Sequence, residues 1–262
     1  MKNYSALITG ASSGIGYEFA KILAKEKIDL ILVARNLKRL EEIRDELSRF
    51  DVSITLIEKD LSLPHSAEDV YNEVKNQDKH VDILINSAGV GLLGRFIELD
   101  LQKQLEMIQL NMTTLTQLTH LFLQDMVNRN FGRIINVASI ASFVSTPLLS
   151  VYAASKAYVL SFTESLNTEL EGKGDIMVTA LCPGPTKTNF ARAAHMESIE
   201  DVYHQFSISP SVVAEAGYQA LQKKKSIVIP EKKLSISLFV TRFLPRKWLQ
   251  YTLGGFWKLK GH

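Results

Sequence analysis

The sequence has one cysteine, no long apolar run and almost no net charge. A single cysteine excludes an internal disulfide and a zinc site built on several cysteines, and it favours a reducing, cytoplasmic compartment. No stretch of about 18 apolar residues is present, so we expect no membrane-spanning helix. The first ten residues lack the apolar stretch and cleavage site of a signal peptide. A net charge of +2 over 262 residues gives no sign of general nucleic-acid binding.

What the sequence does have is a regular alternation of short apolar runs and longer amphipathic runs. The apolar runs are rich in Ile, Leu and Val, which is typical of strands buried on both faces of a parallel sheet. We predict strands at Ser5–Thr9, Leu30–Ala34, Ser53–Glu58, Asp82–Asn86, Arg133–Ala138, Met177–Leu181 and Ser226–Ile229. Helices are predicted at Ile15–Lys25, Leu37–Arg49, Ala67–Gln77, Leu101–Arg129, Val151–Glu171 and Val212–Lys223. This pattern predicts an α/β fold with a doubly wound, mostly parallel seven-stranded sheet and helices on both faces.

A glycine-rich turn follows the first predicted strand and opens the first helix. It spans Thr9 to Gly16, with glycines at positions 10, 14 and 16. Glycine lets the backbone turn tightly and approach a phosphate closely, and the new helix points free N–H groups at that phosphate. A glycine cluster alone also fits a plain strand–helix turn, but its place after the first strand of a βαβ unit favours dinucleotide binding.

Three Tyr-x-x-x-Lys pairs place both side chains on one helix face. They are Tyr17/Lys21, Tyr71/Lys75 and Tyr152/Lys156. Such pairs usually do no chemistry, so the spacing alone is weak evidence. The tyrosine at 152 alone has a serine, Ser139, 13 residues upstream at the end of a predicted strand, where open α/β sheets bind ligands. We interpret the other two pairs as surface or packing pairs.

Seven motifs in order resemble the classical short-chain dehydrogenase/reductase family, from about Tyr4 to Pro230. They are Thr9-Gly10-x-x-x-Gly14-x-Gly16, Asp60-Leu61, Asn86-Ser87-Ala88-Gly89, Asn111, Ser139, Tyr152-x-x-x-Lys156 and Pro183-Gly184 with Thr186 and Thr188. The resemblance implies a Rossmann-type sheet and hydride transfer between a nicotinamide cofactor and a carbonyl or secondary alcohol. It also implies that the cofactor contacts Thr9, Gly10, Ser12, Ser13, Gly14, Ile15, Gly16, Asp60, Leu61, Asn86, Ala88, Gly89, Tyr152, Lys156, Pro183, Gly184, Thr186 and Thr188.

The same resemblance assigns four catalytic roles. Tyr152 exchanges the proton of the substrate oxygen; a free tyrosine has a pKa of about 10, and a lysine cation lowers it. Lys156 supplies that charge and binds the nicotinamide ribose, while Ser139 orients the substrate oxygen. Asn111 holds a water that resupplies protons. From the residues alone, Ser139 also fits a strand-end cap and Asn111 a polar helix residue.

The residues at the end of the second predicted strand indicate which nicotinamide cofactor the chain binds. Many NAD enzymes have an acidic residue at its end, whereas this chain has Ala34 followed by Arg35. A guanidinium suits a 2′-phosphate, so the resemblance points to NADP(H), with Arg35 acting beside Ser12 and Arg39. Two features stand against this: the glycine turn has no basic residue, and Arg35 also fits a solvated helix start.

The substrate pocket is the least informative part of the sequence. Candidate lining residues are Gly91, Leu92, Phe143, Leu148 and Phe190, and Pro183–Pro210 is predicted to be a loop or lid. A mixed apolar lining suits an apolar aldehyde, ketone, acyl or sterol-like carbonyl. The same side chains also fit packing against the domain or another subunit.

The C-terminal residues carry most of the basic charge. Gln219 to His262 contains ten lysines and arginines and one acidic residue, whereas the rest of the chain has a net charge of −7. We therefore divide the chain into a catalytic domain, residues 1–230, and a basic amphipathic extension, residues 231–262. The extension fits packing on its own domain or a partner subunit, peripheral contact of residues 232–262 with the inner membrane surface, or capture of an acidic substrate. The interleaved large apolar residues argue against nucleic acid.

These expectations describe an NADPH-dependent reductase of an apolar carbonyl, with no metal. The alternatives are a membrane-associated 3-oxoacyl or lipid-carbonyl reductase and, outside the enzymes, a redox sensor that binds NADP(H) without turnover. The family resemblance further implies a homodimer or homotetramer formed through the 101–129 and 151–171 helices.

Overall fold

The computed structural model describes residues 4–194, 206–231, 234–235 and 237–238. Its strands are β1 (Ser5–Thr9), β2 (Asp29–Ala34), β3 (Ile54–Glu58), β4 (Ile83–Asn86), β5 (Phe131–Val137), β6 (Asp175–Leu181) and β7 (Ile227–Val228). They form one seven-stranded sheet in the order β3-β2-β1-β4-β5-β6-β7, and every pairing is parallel. The predicted doubly wound sheet is confirmed, and the strand boundaries differ from the prediction by at most two residues.

The helices lie between the strands in sequence. They are α1 (Gly14–Lys25), α2 (Leu37–Leu47), α3 (Ser66–Asn76), α4 (Leu101–Ile108), α5 (Leu115–Asn128), α6 (Ser150–Glu169), α7 (Phe190–Ala193) and α8 (Pro210–Gln222). The predicted helix over 101–129 is interrupted by a π-helical segment, Gln109–Thr114. The short helix α7 lies in the segment predicted to be a lid. The segment contains no glycine or proline, so its sequence gives no sign of the π turn.

The core lies on both faces of the sheet because neighbouring strand residues point in opposite directions. On β1, Ala6 and Ile8 pack with α1, α2 and α8, whereas Leu7 packs on the opposite face with α3 and α5. On β2, Leu30 and Leu32 share the face of Ala6, while Ile31 and Val33 share that of Leu7. Burial on both faces explains why the central residues of both strands are apolar.

Most of the C-terminal extension lies outside the described residues, as does the central part of the predicted lid. The predicted amphipathic character of 232–262 and its proposed contacts therefore stay predictions. Within the described part of the chain, no helix combines the length and apolar character needed to cross a bilayer.

Candidate active site

The strand order places a crevice at the carboxyl ends of β1 and β4. Strand β1 lies between β2 and β4, so the chain's progress across the sheet reverses after β3. Open α/β sheets bind ligands at this switch point. Thr9 joins the two turns that border the crevice, because its Oγ1 accepts hydrogen bonds of 3.0 Å from the N–H groups of Ser87 and Ala88.

The turn after β1 has room for glycine and nothing larger at two places. Gly10 adopts a φ of +66°, and a Cβ there would lie 3.0 Å from the Cα of Ala88. A Cβ on Gly16 would lie 2.5 Å from the carbonyl oxygen of Gly10. The turn is therefore folded tightly on itself and on the β4 turn, and it starts α1 at the crevice.

The start of α1 has the properties of an anion site. Its N-cap, Ser13, makes no side-chain capping bond, and the first turn contains no acidic residue. The backbone N–H groups of the first turn thus remain available, and the helix dipole adds positive potential. The half-buried side chain of Ile15 packs against the core. A cavity of about 440 Å³ at this position is lined by Ser12, Ser13, Gly14, Tyr17, Asn36, Arg39 and Asn189. The residues present fit a dinucleotide pyrophosphate.

Arg35 lies at the end of β2 with its side chain 72% exposed, and its Nη1 is 3.8 Å from Oδ2 of Asp60. Burial raises the pKa of Asp60, but two hydrogen bonds from Ser62 and the charge of Arg35 outweigh it and lower the pKa below its usual value. Asp60 is thus held ionised beside Arg35. Arg39 is oriented differently: it pairs with Glu42 at 2.8 Å and lies over the Tyr17 ring.

Tyr152 and Lys156 lie one turn apart on α6, next to the carboxyl end of β5. Lys156 Nζ donates a hydrogen bond of 2.8 Å to the Val137 carbonyl and lies 5.8 Å from the centre of the Tyr152 ring. Ser139 follows β5, and its Oγ accepts a hydrogen bond of 3.1 Å from the Ala141 N–H. Burial lowers the pKa of Lys156 to about 8. The structure therefore places three of the four predicted catalytic residues at the carboxyl end of β5.

Asn111 joins this group from the π-helical segment. Its Nδ2 donates to the Val90 carbonyl at 2.9 Å and to Ser155 Oγ at 3.2 Å, and its Oδ1 accepts from the Val90 N–H at 3.0 Å. Ser155 Oγ in turn donates to the Tyr152 carbonyl at 2.7 Å. Gly89 is packed against both groups, since a Cβ there would lie 3.2 Å from Asn111 Oδ1 and 3.3 Å from Lys156 Nζ.

The turn after β6 completes the crevice. The Pro183 carbonyl accepts a hydrogen bond of 3.0 Å from the Ile140 N–H, which fixes the turn beside Ser139. Thr186 Oγ1 donates to the Gly184 carbonyl at 3.0 Å. Thr188 reaches across to the glycine turn, because a Cβ on Gly14 would lie 2.9 Å from its Cγ2.

The two other Tyr-x-x-x-Lys pairs are not next to Ser139: Tyr17 lines the cavity at the start of α1, and Tyr71 packs on α5. Tyr17 donates to Glu46 at 2.7 Å, and burial together with Glu46 raises the pKa of Tyr17 to about 12. Tyr71 donates to Asp125 at 3.2 Å, and Lys75 pairs with the same carboxylate. Neither lysine lies at a strand end next to a serine.

The predicted substrate residues divide between two apolar clusters. Leu92, Leu148 and Phe190 pack in the cluster that contains Tyr152. Gly91 touches Phe190: a Cβ there would lie 2.6 Å from its Cζ. Phe143 instead packs with Tyr158 and Phe162 and lines a separate cavity of about 650 Å³ that Tyr152 does not border. Phe143 therefore belongs to a different apolar cluster from Tyr152, and its role in substrate binding stays a prediction.

Two predicted cofactor residues point their side chains into the domain. Asn86 is buried and its Nδ2 donates to Thr119 Oγ1 and Asn136 Oδ1, which links the sheet to α5. Leu61 packs in the core beneath α3 and α5, and its carbonyl accepts from Thr114 Oγ1. Any cofactor contact from either residue would be made by its backbone.

Sequence reasoning missed Ser155 and Glu231. Ser155 lies inside the Tyr152–Lys156 interval, so its helical neighbours could have indicated it. Glu231 contacts Gly184 through its carboxylate, 47 residues away along the chain, and no sequence pattern signals that contact. Cys182 is fully buried, and burial raises its pKa to about 12, as expected of a core residue. No group of three or more metal-ligating side chains occurs within the described ranges.

Comparison with known proteins shows which family the chain resembles in sequence and structure. A family model described as short chain dehydrogenase matches residues 4–198. An uncharacterised oxidoreductase of Staphylococcus saprophyticus is 32% identical over 229 residues, which cover 86% of this chain and 94% of that protein. A short-chain dehydrogenase from Sphingobium yanoikuyae, solved in complex with NADPH, is 29% identical with a TM-score of 0.83, covering 91% of this chain and 92% of that one. A bulky-bulky ketone specific alcohol dehydrogenase from Comamonas testosteroni is 28% identical with a TM-score of 0.78, covering 92% and 93%.

Proposed function

This chain belongs to the short-chain dehydrogenase family of oxidoreductases, and within it we propose an NADPH-dependent reductase of apolar carbonyl compounds. The observation that carries the proposal is that Lys156, one turn after Tyr152 on α6, bonds the last residue of β5, two residues before Ser139. That placement lies beside a glycine turn whose cavity fits a dinucleotide pyrophosphate. Nicotinamide cofactors supply the hydride in such enzymes.

Each side chain has a task in protonating the substrate oxygen. Ser139 Oγ is available to donate a hydrogen bond to that oxygen as negative charge develops on it. Tyr152 gives its phenolic proton to the same oxygen. The Lys156 cation, held by Val137, stabilises the phenolate that remains. The Asn111 side chain forms hydrogen bonds with Val90 and Ser155. In this proposal Asn111 also orients a water that resupplies the proton.

Arg35 supports the choice of NADPH over NADH. Its guanidinium is exposed at the end of β2, where the ribose of a dinucleotide lies in this fold, and it can grip a 2′-phosphate with two N–H groups. Asp60, ionised beside it, keeps the guanidinium on that side of the crevice. The NADPH named for the Sphingobium protein is consistent with this choice.

The proposal extends to assembly and location. We expect a homodimer or homotetramer, because α4 leaves Leu101 and Leu105 exposed on the helix predicted to pair.

We expect a cytoplasmic protein whose extension, with its excess of basic residues, contacts a partner subunit or the inner membrane surface. In the second case the enzyme would be a membrane-associated 3-oxoacyl or lipid-carbonyl reductase. Co-sedimentation with anionic vesicles that falls with salt and with deletion of 232–262 would favour that form.

The test is cofactor oxidation with a panel of short aldehydes, aromatic ketones, steroid ketones and 3-oxoacyl thioesters. NADPH and NADH are compared for the wild type, Tyr152→Phe and Tyr71→Phe. We expect turnover with NADPH that falls about a hundredfold or more in Tyr152→Phe. Tyr71→Phe changes the same residue type in the same spacing motif and should keep full activity. NADPH binding without turnover on any carbonyl would instead favour a redox sensor.

A further inference from the structure

Phe190 occupies the apolar side of the crevice next to the tyrosine. The two ring centres are 5.3 Å apart, and the ring planes are inclined at 50°. Both rings belong to one cluster with Leu92, Leu148 and Leu149. A carbonyl compound that receives the Tyr152 proton therefore reacts beside the Phe190 ring, and a substituent that extends toward this cluster meets the ring.

Gly91 lies against the end of the Phe190 ring. A Cβ on Gly91 would lie 2.6 Å from Cζ of Phe190 and 3.3 Å from its Cε2, so the end of the ring rests on the glycine backbone. Gly91 is not among the residues with positive φ. The backbone there could accept alanine, and contact with the ring is what a side chain at this position would disturb.

Hydrogen bonds also fix helix α7, which carries Phe190. Helix α7 begins at Phe190, whose N–H donates to Thr188 Oγ1 at 3.2 Å. Just past the end of α7, the Ala194 carbonyl accepts a hydrogen bond of 2.9 Å from the Leu93 N–H. Both ends of α7 are attached, so the backbone that carries the ring is fixed beside the 90–94 segment.

We propose that Phe190, seated on Gly91, is the specificity-determining residue of this crevice. It limits the substituent on its side of the carbonyl to hydrogen or a group about the size of methyl. The inference rests on the proposed function and narrows its substrate class to apolar aldehydes and methyl ketones. Ketones with two bulky substituents are excluded by the ring and not by the fold, since a protein of similar structure is named for bulky-bulky ketones.

The experiment measures binding, so that it does not depend on turnover. Acetophenone and benzophenone are titrated calorimetrically into the full-length protein saturated with NADP⁺, where no reduction can occur. Wild type, Phe190→Ala and Phe143→Ala are compared. Phe143 is the matched control because it is a similarly half-buried phenylalanine in the other apolar cluster.

We expect the wild type to bind acetophenone at least tenfold more tightly than benzophenone. Phe190→Ala should reduce that preference at least tenfold, and Phe143→Ala should leave it within about twofold, in line with the discrimination that an apolar pocket gives. A wild type that binds both ketones equally, or a preference that Phe190→Ala does not change, overturns the proposal. Should the binding preference change as expected while no carbonyl is reduced with NADPH, the size filter stands and the proposed reductase activity fails.

Discussion

The ammonium group of Lys156 lies 5.8 Å from the centre of the Tyr152 ring and donates its hydrogen bond to the Val137 carbonyl at 2.8 Å. The lysine is almost completely buried, and burial lowers its pKa to about 8. Near neutral pH it therefore still carries its charge, in a place where folding has removed most of its water. The charge that the proposed chemistry needs is held at a cost in stability.

Lys156→Met should abolish turnover and raise the free energy of unfolding at pH 7 by about 1–3 kcal/mol, because it removes a desolvated charge and loses one hydrogen bond. The native pKa of about 8 lies below the usual lysine value of 10.5. The unfolded chain thus binds more protons between these two values, and wild-type stability should rise as the pH increases through that window. The difference in free energy of unfolding between Lys156→Met and the wild type should accordingly decrease as the pH rises. Urea titrations at pH 7 and pH 10 measure both effects.

Lys75→Met is the control, because Lys75 is exposed and belongs to a pair with the same spacing. Its free energy of unfolding should stay within about 0.5 kcal/mol of wild type at both pH values. A methionine at 156 that destabilises the protein at pH 7 would contradict the cost assigned to the buried charge.

Ser155→Ala should lower kcat about tenfold while leaving KM for NADPH within about threefold. The hydroxyl links the Asn111 amide to the Tyr152 carbonyl, and its loss frees the tyrosine's turn of α6 from the π-helical segment. Ser165→Ala removes a comparable serine-to-carbonyl bond on the exposed face of the same helix and should not change kcat. Equal kcat values in the two variants would remove Ser155 from the positioning network.

The general form of the fold follows from the sequence because the strands are mostly apolar and alternate with amphipathic helical segments. The glycine turn and the Tyr152–Lys156 pair follow as well, since both depend on spacing within one element. Contacts between segments that are distant along the chain do not follow from the sequence. Phe143 and Phe190 are equivalent as sequence, yet Phe190 packs in the cluster that contains Tyr152 and Phe143 packs against a different one. Asn86 is polar at a strand end, but its amide is used inside the domain by Asn136.

Arg35→Ala should raise KM for NADPH at least tenfold and leave KM for NADH within about twofold. The expected change corresponds to the loss of one charge-assisted contact with a 2′-phosphate, which NADH lacks. Arg39→Ala should have a smaller effect, because the Arg39 guanidinium is engaged by Glu42 and the Tyr17 ring. Steady-state kinetics with both cofactors provide the measurement. Parallel losses for NADPH and NADH would show that Arg35 does not distinguish them.

Glu231 is expected to position the turn at Gly184. Its Oε2 accepts a hydrogen bond from the Gly184 N–H at 3.4 Å, and its Oε1 is buried with no partner in the described part of the chain. Burial raises the pKa of this carboxyl group. A buried acceptor without a donor is unfavourable, so a ligand that donates a hydrogen bond beside the Gly184 turn would stabilise it.

Glu231→Leu removes the acceptor, whereas Glu231→Gln keeps an oxygen for the Gly184 N–H. The leucine variant should raise KM for NADPH about five- to tenfold with kcat nearly unchanged, since the loss of one hydrogen bond of about 1 kcal/mol falls on the turn and not on Tyr152. The glutamine variant should restore KM to near the wild-type value. Glu215→Leu, on an exposed position of α8, controls for loss of an acidic residue. A leucine variant with a lower unfolding midpoint but an unchanged KM would show that Glu231 supports the fold alone and leaves the turn's cofactor contact to Gly184 itself.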